Sequence, residues 1–191
     1  MAATIAKMTL ADFLAYDDGT NQRYELENGE LILVPAESDI NQRIASFLFA
    51  LFLGLGVSSY RLRIGLEIAV SSSRVGVRLP DLAVLSEEGA EELVGAKRSI
   101  ILMEMPPPCL VVEVVSSGQE KRDYRYKRSE YAARGIAEYW IVDPLTSQVT
   151  VLEWIDGFYE EQVFTGLDEI NSAVFTELQV TAEQVLQGKR G

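Results

Sequence analysis

CLVVEVV, residues 109–115, decides how this chain folds. Every position but one is apolar, so the run has no polar face, and a strand of that kind is covered on both sides. The exception is Glu113. A carboxylate buried alone in such a strand is costly unless it is protonated, paired or bound to a cation. Thirty-two residues earlier, Pro80-Asp81 interrupts a second apolar run, LPDLAVL (79–85), and Lys127 follows Glu113 by fourteen residues. Two acids and an ammonium where a core wants no charge suggest a divalent-metal site with a base or charge stabiliser beside it.

The composition narrows the chemistry further. There is no histidine among the 191 residues, which removes Ser-His-Asp and Cys-His catalysis, histidine-ligated zinc and histidine general bases. Cys109 is the single cysteine, so no disulfide framework or thiolate cluster is available, and it reads as a small apolar residue at a strand start. With 48% apolar residues and no long biased tract, residues 1–191 read as one domain with a full core. The N-terminus does not have the pattern of a signal peptide, and the expected compartment is a reducing cytoplasm. The greasiest segment, IASFLFALFLGLGV (44–57), is too short to cross a bilayer and reads as a buried helix, one that a second subunit could share.

The net charge is −12, and residues 135–188 contain no lysine or arginine. Positive charge collects at Arg61, Arg63, Arg74 and Arg78, and again at Lys121, Arg122, Arg125, Lys127, Arg128 and Arg134. These residues are either solvated surface with ordinary ion pairs or a basic rim around the acidic site, as a phosphate-bearing substrate would need. An acidic whole opposes the non-specific phosphate attraction on which most nucleic-acid binders rely.

Outward from the central strand, the elements follow from local chemistry. MTLADFLAYD (8–17) reads as a short helix capped by Thr9, and RYELENGELILV (23–34) as a hairpin turning at Asn28-Gly29. Ser38 or Asp39 caps the helix that carries Ile44, Phe47, Leu48 and Leu51. YRLRIGLEIAV (60–70) and VRLPDLAVL (77–85) each read as one strand, and SEEGAEELVG (86–95) as one or two helical turns. A helix after the central strand runs to Arg134 and ends on Gly135 as a left-handed cap. EYWIVD, VTVLEWI and YEEQVF read as strands, the last two joined at Asp156-Gly157, and Thr181 with Gln184 forms a capping box for a short last helix. The fold class is α/β.

RYELENGEL, LPDLAVL, LVVEVVS and RDYRYKRSEYAARGIAEYWIVDP, in that order and spacing, resemble the Uma-type family of the PD-(D/E)XK nuclease superfamily, a restriction-endonuclease-like family abundant in cyanobacteria. The resemblance runs from about residue 8 to the C-terminus. It implies a mixed β-sheet flanked by helices and a nuclease that uses Mg²⁺ or Mn²⁺ to hydrolyse phosphodiester bonds in nucleic acid, DNA before RNA. Asp81, Glu113 and the backbone carbonyl of Val114 would be the metal ligands and Lys127 the catalytic lysine, with Glu25, Asn41 and Tyr131 in support. Glu25 is the candidate third carboxylate.

The sequence departs from the pattern twice. The superfamily lysine usually stands two residues after the acid, where this chain has Val115, and Lys127 occupies the matching place in the following helix. Asn41 stands where relatives have histidine, and its amide can still hydrogen-bond a water or a phosphate. The reach of Lys127 turns on where its helix begins. A start at Ser117–Glu120 puts it about 15 Å along the axis, whereas Asp123 as N-cap puts it in the first full turn, with Tyr124, Tyr131 and Arg134 on the same face. The second start is the expected one, with Tyr124 and Tyr131 packing and their hydroxyls at the rim. Two alternatives to a nuclease stay open: a nuclease-fold protein that binds nucleic acid or a protein partner without cutting, and a structural fold in which Asp81 and Glu113 only pair with arginines. A homodimer is expected, since cutting a duplex needs two sites.

Overall fold

The computed structural model describes residues 7–71, 75–118 and 120–189, so Arg74 lies outside the described residues. Helix α1 (Leu10–Ala15) opens on Thr9, whose hydroxyl accepts from the Asp12 amide while the Asp12 carboxylate accepts from the Thr9 amide. Strands β1 (Tyr24–Glu27) and β2 (Glu30–Leu33) form the expected hairpin. Asn28 and Gly29 take φ of 52° and 79°, the left-handed pair that a tight hairpin turn needs. Helix α2 (Asp39–Gly54) is capped by Ser38 and buries Ile44, Leu48, Leu51 and Phe52. Most of the greasy segment is therefore spent inside the chain itself, although Leu53 and Leu55 stay exposed.

Two expected strands are broken instead. Residues 60–70 divide into β3 (Leu62–Arg63) and β4 (Glu67–Ser71), and residues 77–85 divide between β5 (Val75–Arg78) and β6 (Leu82–Val84). In each case the halves belong to different sheets. Gly65, at φ 75°, makes the first break, and Pro80, which has no N–H for a ladder, stands in the second. Helix α3 (Glu87–Glu92) follows Ser86, and a short strand without a clear sequence signal, β7 (Ile100–Ile101), lies parallel to β4.

Strand β8 (Leu110–Val114) is buried at every position. The helix after it carries a wide π-type segment at Arg122–Lys127 and continues as α4 (Arg128–Arg134), which ends on Gly135 at φ 75°. Strands β9 (Glu138–Asp143), β10 (Gln148–Ile155) and β11 (Phe158–Thr165) and helix α5 (Ala182–Gln187) complete the described chain. The first sheet has the order β2-β1-β5-β4-β7, and the second β11-β10-β9-β8-β6-β3. In the second, β8 lies between antiparallel β6 and parallel β9. Side chains alternate across it. Val112 and Val114 pack with α2, while Val111 and Val115 pack with Tyr131 and Tyr139 on the other face. Helices thus flank mixed sheets, and the α/β class read from the sequence is the class observed.

Candidate active site

The second strand break positions the first acid. The chain leaves the first sheet after Arg78, crosses at Leu79-Pro80-Asp81 and joins the second at Leu82, so Asp81 stands at the junction. Its Oδ2 accepts the Val114 N–H at 2.5 Å, which pins it to the end of the central strand. Glu113, one residue from that end, points to the same face as Val111 and Val115 by strand alternation. Its Oε2 accepts from Lys127 Nζ at 2.7 Å, and its Oε1 from the Tyr131 hydroxyl at 2.7 Å.

Lys127 is only 6% exposed. Besides Glu113 it meets Asp123 Oδ1 at 3.0 Å and Glu25 Oε1 at 3.6 Å. The expected helix start is corrected here. Asp123 is not an N-cap but a buried member of the π-type segment, four residues before the lysine it pairs with. Distance along the axis misjudged the reach because the helix lies back over the sheet, so that even Tyr131, a turn further on, touches Glu113. The proposed common face divides in practice. Lys127 and Tyr131 converge on Glu113, whereas Tyr124 donates to Asp143 and Arg134 to the carbonyls of Leu102 and Met105. The Tyr131 hydroxyl is buried rather than at a rim.

Glu25 belongs to a second cluster behind the first. It accepts from Leu79 N–H at 3.1 Å and pairs with Arg78 and Arg122. Arg78 is fully buried and also forks onto Glu130, at 2.6 and 3.0 Å, and reaches Glu27 at 2.9 Å. Hence much of the expected basic rim is not a rim. Arg78 and Lys127 are inside, while Arg122 and Arg128 are paired with Glu25, Glu27 and Glu161. The sequence reading did not single out Arg78 as buried, nor Glu130 as its partner and Asp123 as the partner of Lys127. The i,i+4 spacing of Asp123 and Lys127 was the available signal for one of them. Asn41, on the first turns of α2, donates from Nδ2 to the Val114 carbonyl at 3.1 Å and to Ser116 at 2.9 Å.

The charges sort the carboxyls into two kinds. Burial would raise Glu25, but Lys127, Arg78 and Arg122 outweigh it and hold the carboxyl at about 2. Burial raises Glu113 to about 7, with Asp123 and Glu25 adding to the effect against Lys127. Burial and the neighbouring Glu113 and Glu37 push Asp81 well above the usual carboxylate range. Burial works against the Lys127 ammonium, yet Glu113, Glu25 and Asp123 keep it above its ordinary value and therefore charged.

Asp81, Glu113, Val114 and Lys127 line a cavity of about 60 Å³, together with Glu37, Ser116 and Asp123. A water needs about 10–15 Å³ of such space, so several fit. Two buried carboxyls, each raised by burial and by neighbouring acids, are the state that a hard cation relieves, and oxygen donors with room for waters suit Mg²⁺, which takes one or two carboxylates and keeps its hydration. The residues present therefore fit such an ion. Glu25 lines the same cavity with its Oε2 engaged by Arg78 and Arg122, and no cluster of three or more acids disposed for a metal occurs among the described residues. Among the described residues neither Asp81 nor Glu113 pairs with an arginine: Glu113 pairs with Lys127, and Asp81 accepts from the Val114 N–H.

The mixed sheets, their flanking helices and the acid at the sheet junction place the chain in the restriction-endonuclease-like class. More particularly, it belongs to the Uma2 family, described as "Putative restriction endonuclease", whose model matches residues 10–183. A solved structure from Anabaena variabilis, titled "a putative nuclease belonging to DUF820", is similar in fold. The TM-score is 0.76 at 19% identity, over 95% of this chain and 98% of that one. No curated protein matches the sequence. No helix among the described residues is long and apolar enough to cross a membrane.

Proposed function

We propose that this chain is a metal-dependent endonuclease that hydrolyses phosphodiester bonds in DNA, working as one domain over residues 1–191. The observation that carries the reading is the convergence of Asp81, Glu113 and Lys127, from three separate elements, on one small polar cavity. Asp81, Glu113 and the Val114 carbonyl would hold Mg²⁺ or Mn²⁺. Such an ion, when bound, acidifies a water and offsets charge on a phosphate oxygen. Lys127 keeps its proton and serves as donor to the water or to the charge that develops on the phosphoryl oxygens. Tyr131 holds the Glu113 carboxyl from the other side, Glu25 and Asp123 hold the ammonium, and Asn41 holds the end of the strand.

One observation favours the non-cutting alternative. Lys127 is already enclosed by three carboxylates, and the cations nearby are largely consumed by acids. Calorimetric titration of Mg²⁺ into the wild type and Asp81→Ala, followed by cleavage assays, separates the two. We expect one site in the wild type, loss of it in the variant, and cleavage of DNA. Metal uptake without cleavage of any DNA or RNA would favour the binding protein, and no uptake would sink the metal site. A homodimer is part of the proposal. It is supported by the exposed cross-strand pair Ile155 and Phe158 at the tip of the β10–β11 hairpin.

A further inference from the structure

A second pocket, of about 270 Å³, opens on the other side of Asp81. It shares Glu37, Leu79 and Asp81 with the smaller cavity, so the two form one continuous depression with Asp81 on the sill. Its volume lies just under the about 300 Å³ at which pockets for drug-sized molecules begin, which suits one flat ring system. Pro80 and the Ile64-Gly65 bend form one wall, and Ile64 stands 56% exposed there. The bend sits beside Asp81 because β3 runs antiparallel to β6. The opposite wall is the face of α2 that carries Gln42, Ala45 and Ser46. Among the described residues the side chains of Gln42, Ser46 and Arg23 have no hydrogen-bond or ionic partner. A slot with Ile64, Leu79 and Pro80 as its apolar surface, free amide and hydroxyl groups along the facing side, an unpaired guanidinium at one edge and the carboxyls of Glu37 and Asp81 toward the smaller cavity has the chemistry of a nucleotide site.

The charge distribution argues for the same ligand. A duplex is normally gripped by many phosphate contacts, and a chain of net charge −12 with its inner arginines paired offers few of them. A local grip on one unstacked nucleotide needs fewer phosphate contacts, because a base packed against Ile64 and Pro80 contributes buried apolar area, which does not depend on counterion release. A base can enter only from outside a stack, so the strand must be unpaired at that point.

Resting on the nuclease reading, we infer that this pocket receives the base of the nucleotide next to the scissile phosphate, with Arg23 on the adjoining phosphate, and that the substrate is an unpaired stretch of DNA. The amide of Gln42 faces the base edge, where it can donate and accept at once.

The test is cleavage of a short single-stranded DNA, with Mg²⁺, in which one abasic residue is walked through the sequence. An abasic residue beside the cut should slow that cut about tenfold, the scale of removing one ring's buried apolar contact, and one several residues away should not. Ser46→Trp, which fills the pocket from the exposed face of α2, should lose a similar factor on the intact strand, keep its melting temperature and Mg²⁺ uptake, and no longer respond to the abasic residue. The matching duplex should be cut more slowly than the single strand. A flat abasic scan, a Ser46→Trp protein as fast as wild type, or a duplex cut as fast as the single strand would each overturn the inference while leaving the nuclease reading standing. A wild type that takes up metal and cuts none of these strands would instead remove the nuclease reading, and this inference with it.

Discussion

Lys127 is where the single-residue consequences concentrate. An exposed helix lysine could be removed at little cost, but this one neutralises three buried carboxyls. Lys127→Ala should therefore reduce turnover by about 10², as expected for loss of a charge-stabilising donor, and should also lower folding stability by about 3–5 kcal/mol, the usual cost of leaving buried charge unpaired. Urea unfolding and single-turnover cleavage check the two separately. A variant that cuts as fast as wild type would dismiss the lysine's chemical role. The same carboxyls predict a pH dependence. Glu113 titrates at about 7 and Asp81 well above its usual range, so the folded state binds more protons than the unfolded chain between about 4 and 7. Stability of the metal-free protein should accordingly fall as pH rises through that window. Glu25, held at about 2, acts oppositely, and its contribution is lost only as pH falls below about 4 towards 2. Melting temperatures should decline from pH 5 to 7.5 without metal and recover at pH 7.5 when Mg²⁺ is added. A flat metal-free profile would contradict the raised acids.

Three elements place these side chains: the broken strand 77–85, the central strand and the helix after it. The π-type segment at Arg122–Lys127 sets Asp123 and Lys127 facing inward together, and Gly135 ends the helix in a left-handed conformation. A Cβ at Gly135 would meet nothing within 4 Å, so Gly135→Ala probes backbone conformation alone. It should cost about 1–2 kcal/mol, the penalty of an L-residue at positive φ. No loss in equilibrium unfolding would mean that the helix can end elsewhere. The breaks at Gly65 and Pro80 matter in the same way. They turn two apparent strands into four that serve two sheets, and the site lies at the second crossing.

At the scale of the whole molecule, the tip of the long β10–β11 hairpin carries a cross-strand apolar pair, Ile155 opposite Phe158, the latter 77% exposed. Apolar side chains clustered at a strand edge mark a partner surface. Light scattering at tens of micromolar should give a dimer mass, and Phe158→Lys with Ile155→Lys should return it to the monomer. A monomer mass for the wild type would remove the homodimer without touching the active-site reading.

By itself the sequence determined the α/β class, both hairpins, the caps at Thr9, Gly135 and Thr181, and the central strand with its one acid, and it narrowed the cap of α2 to Ser38 or Asp39. These follow from short-range chemistry: hydrophobic period, left-handed turn residues and hydroxyls that satisfy helix N–H groups. That Asp81 and Glu113 stand apart was also legible, because they interrupt apolar runs, and both line the small cavity. Only the tertiary structure decided what those charges do. The arginine pairing of Glu25 depended on Arg78 arriving from another strand, and whether Lys127 could reach Glu113 depended on a helix folding back over the sheet. The pairing of a buried charge is fixed by whichever opposite charge long-range packing brings to it, and no local pattern in the chain encodes that choice.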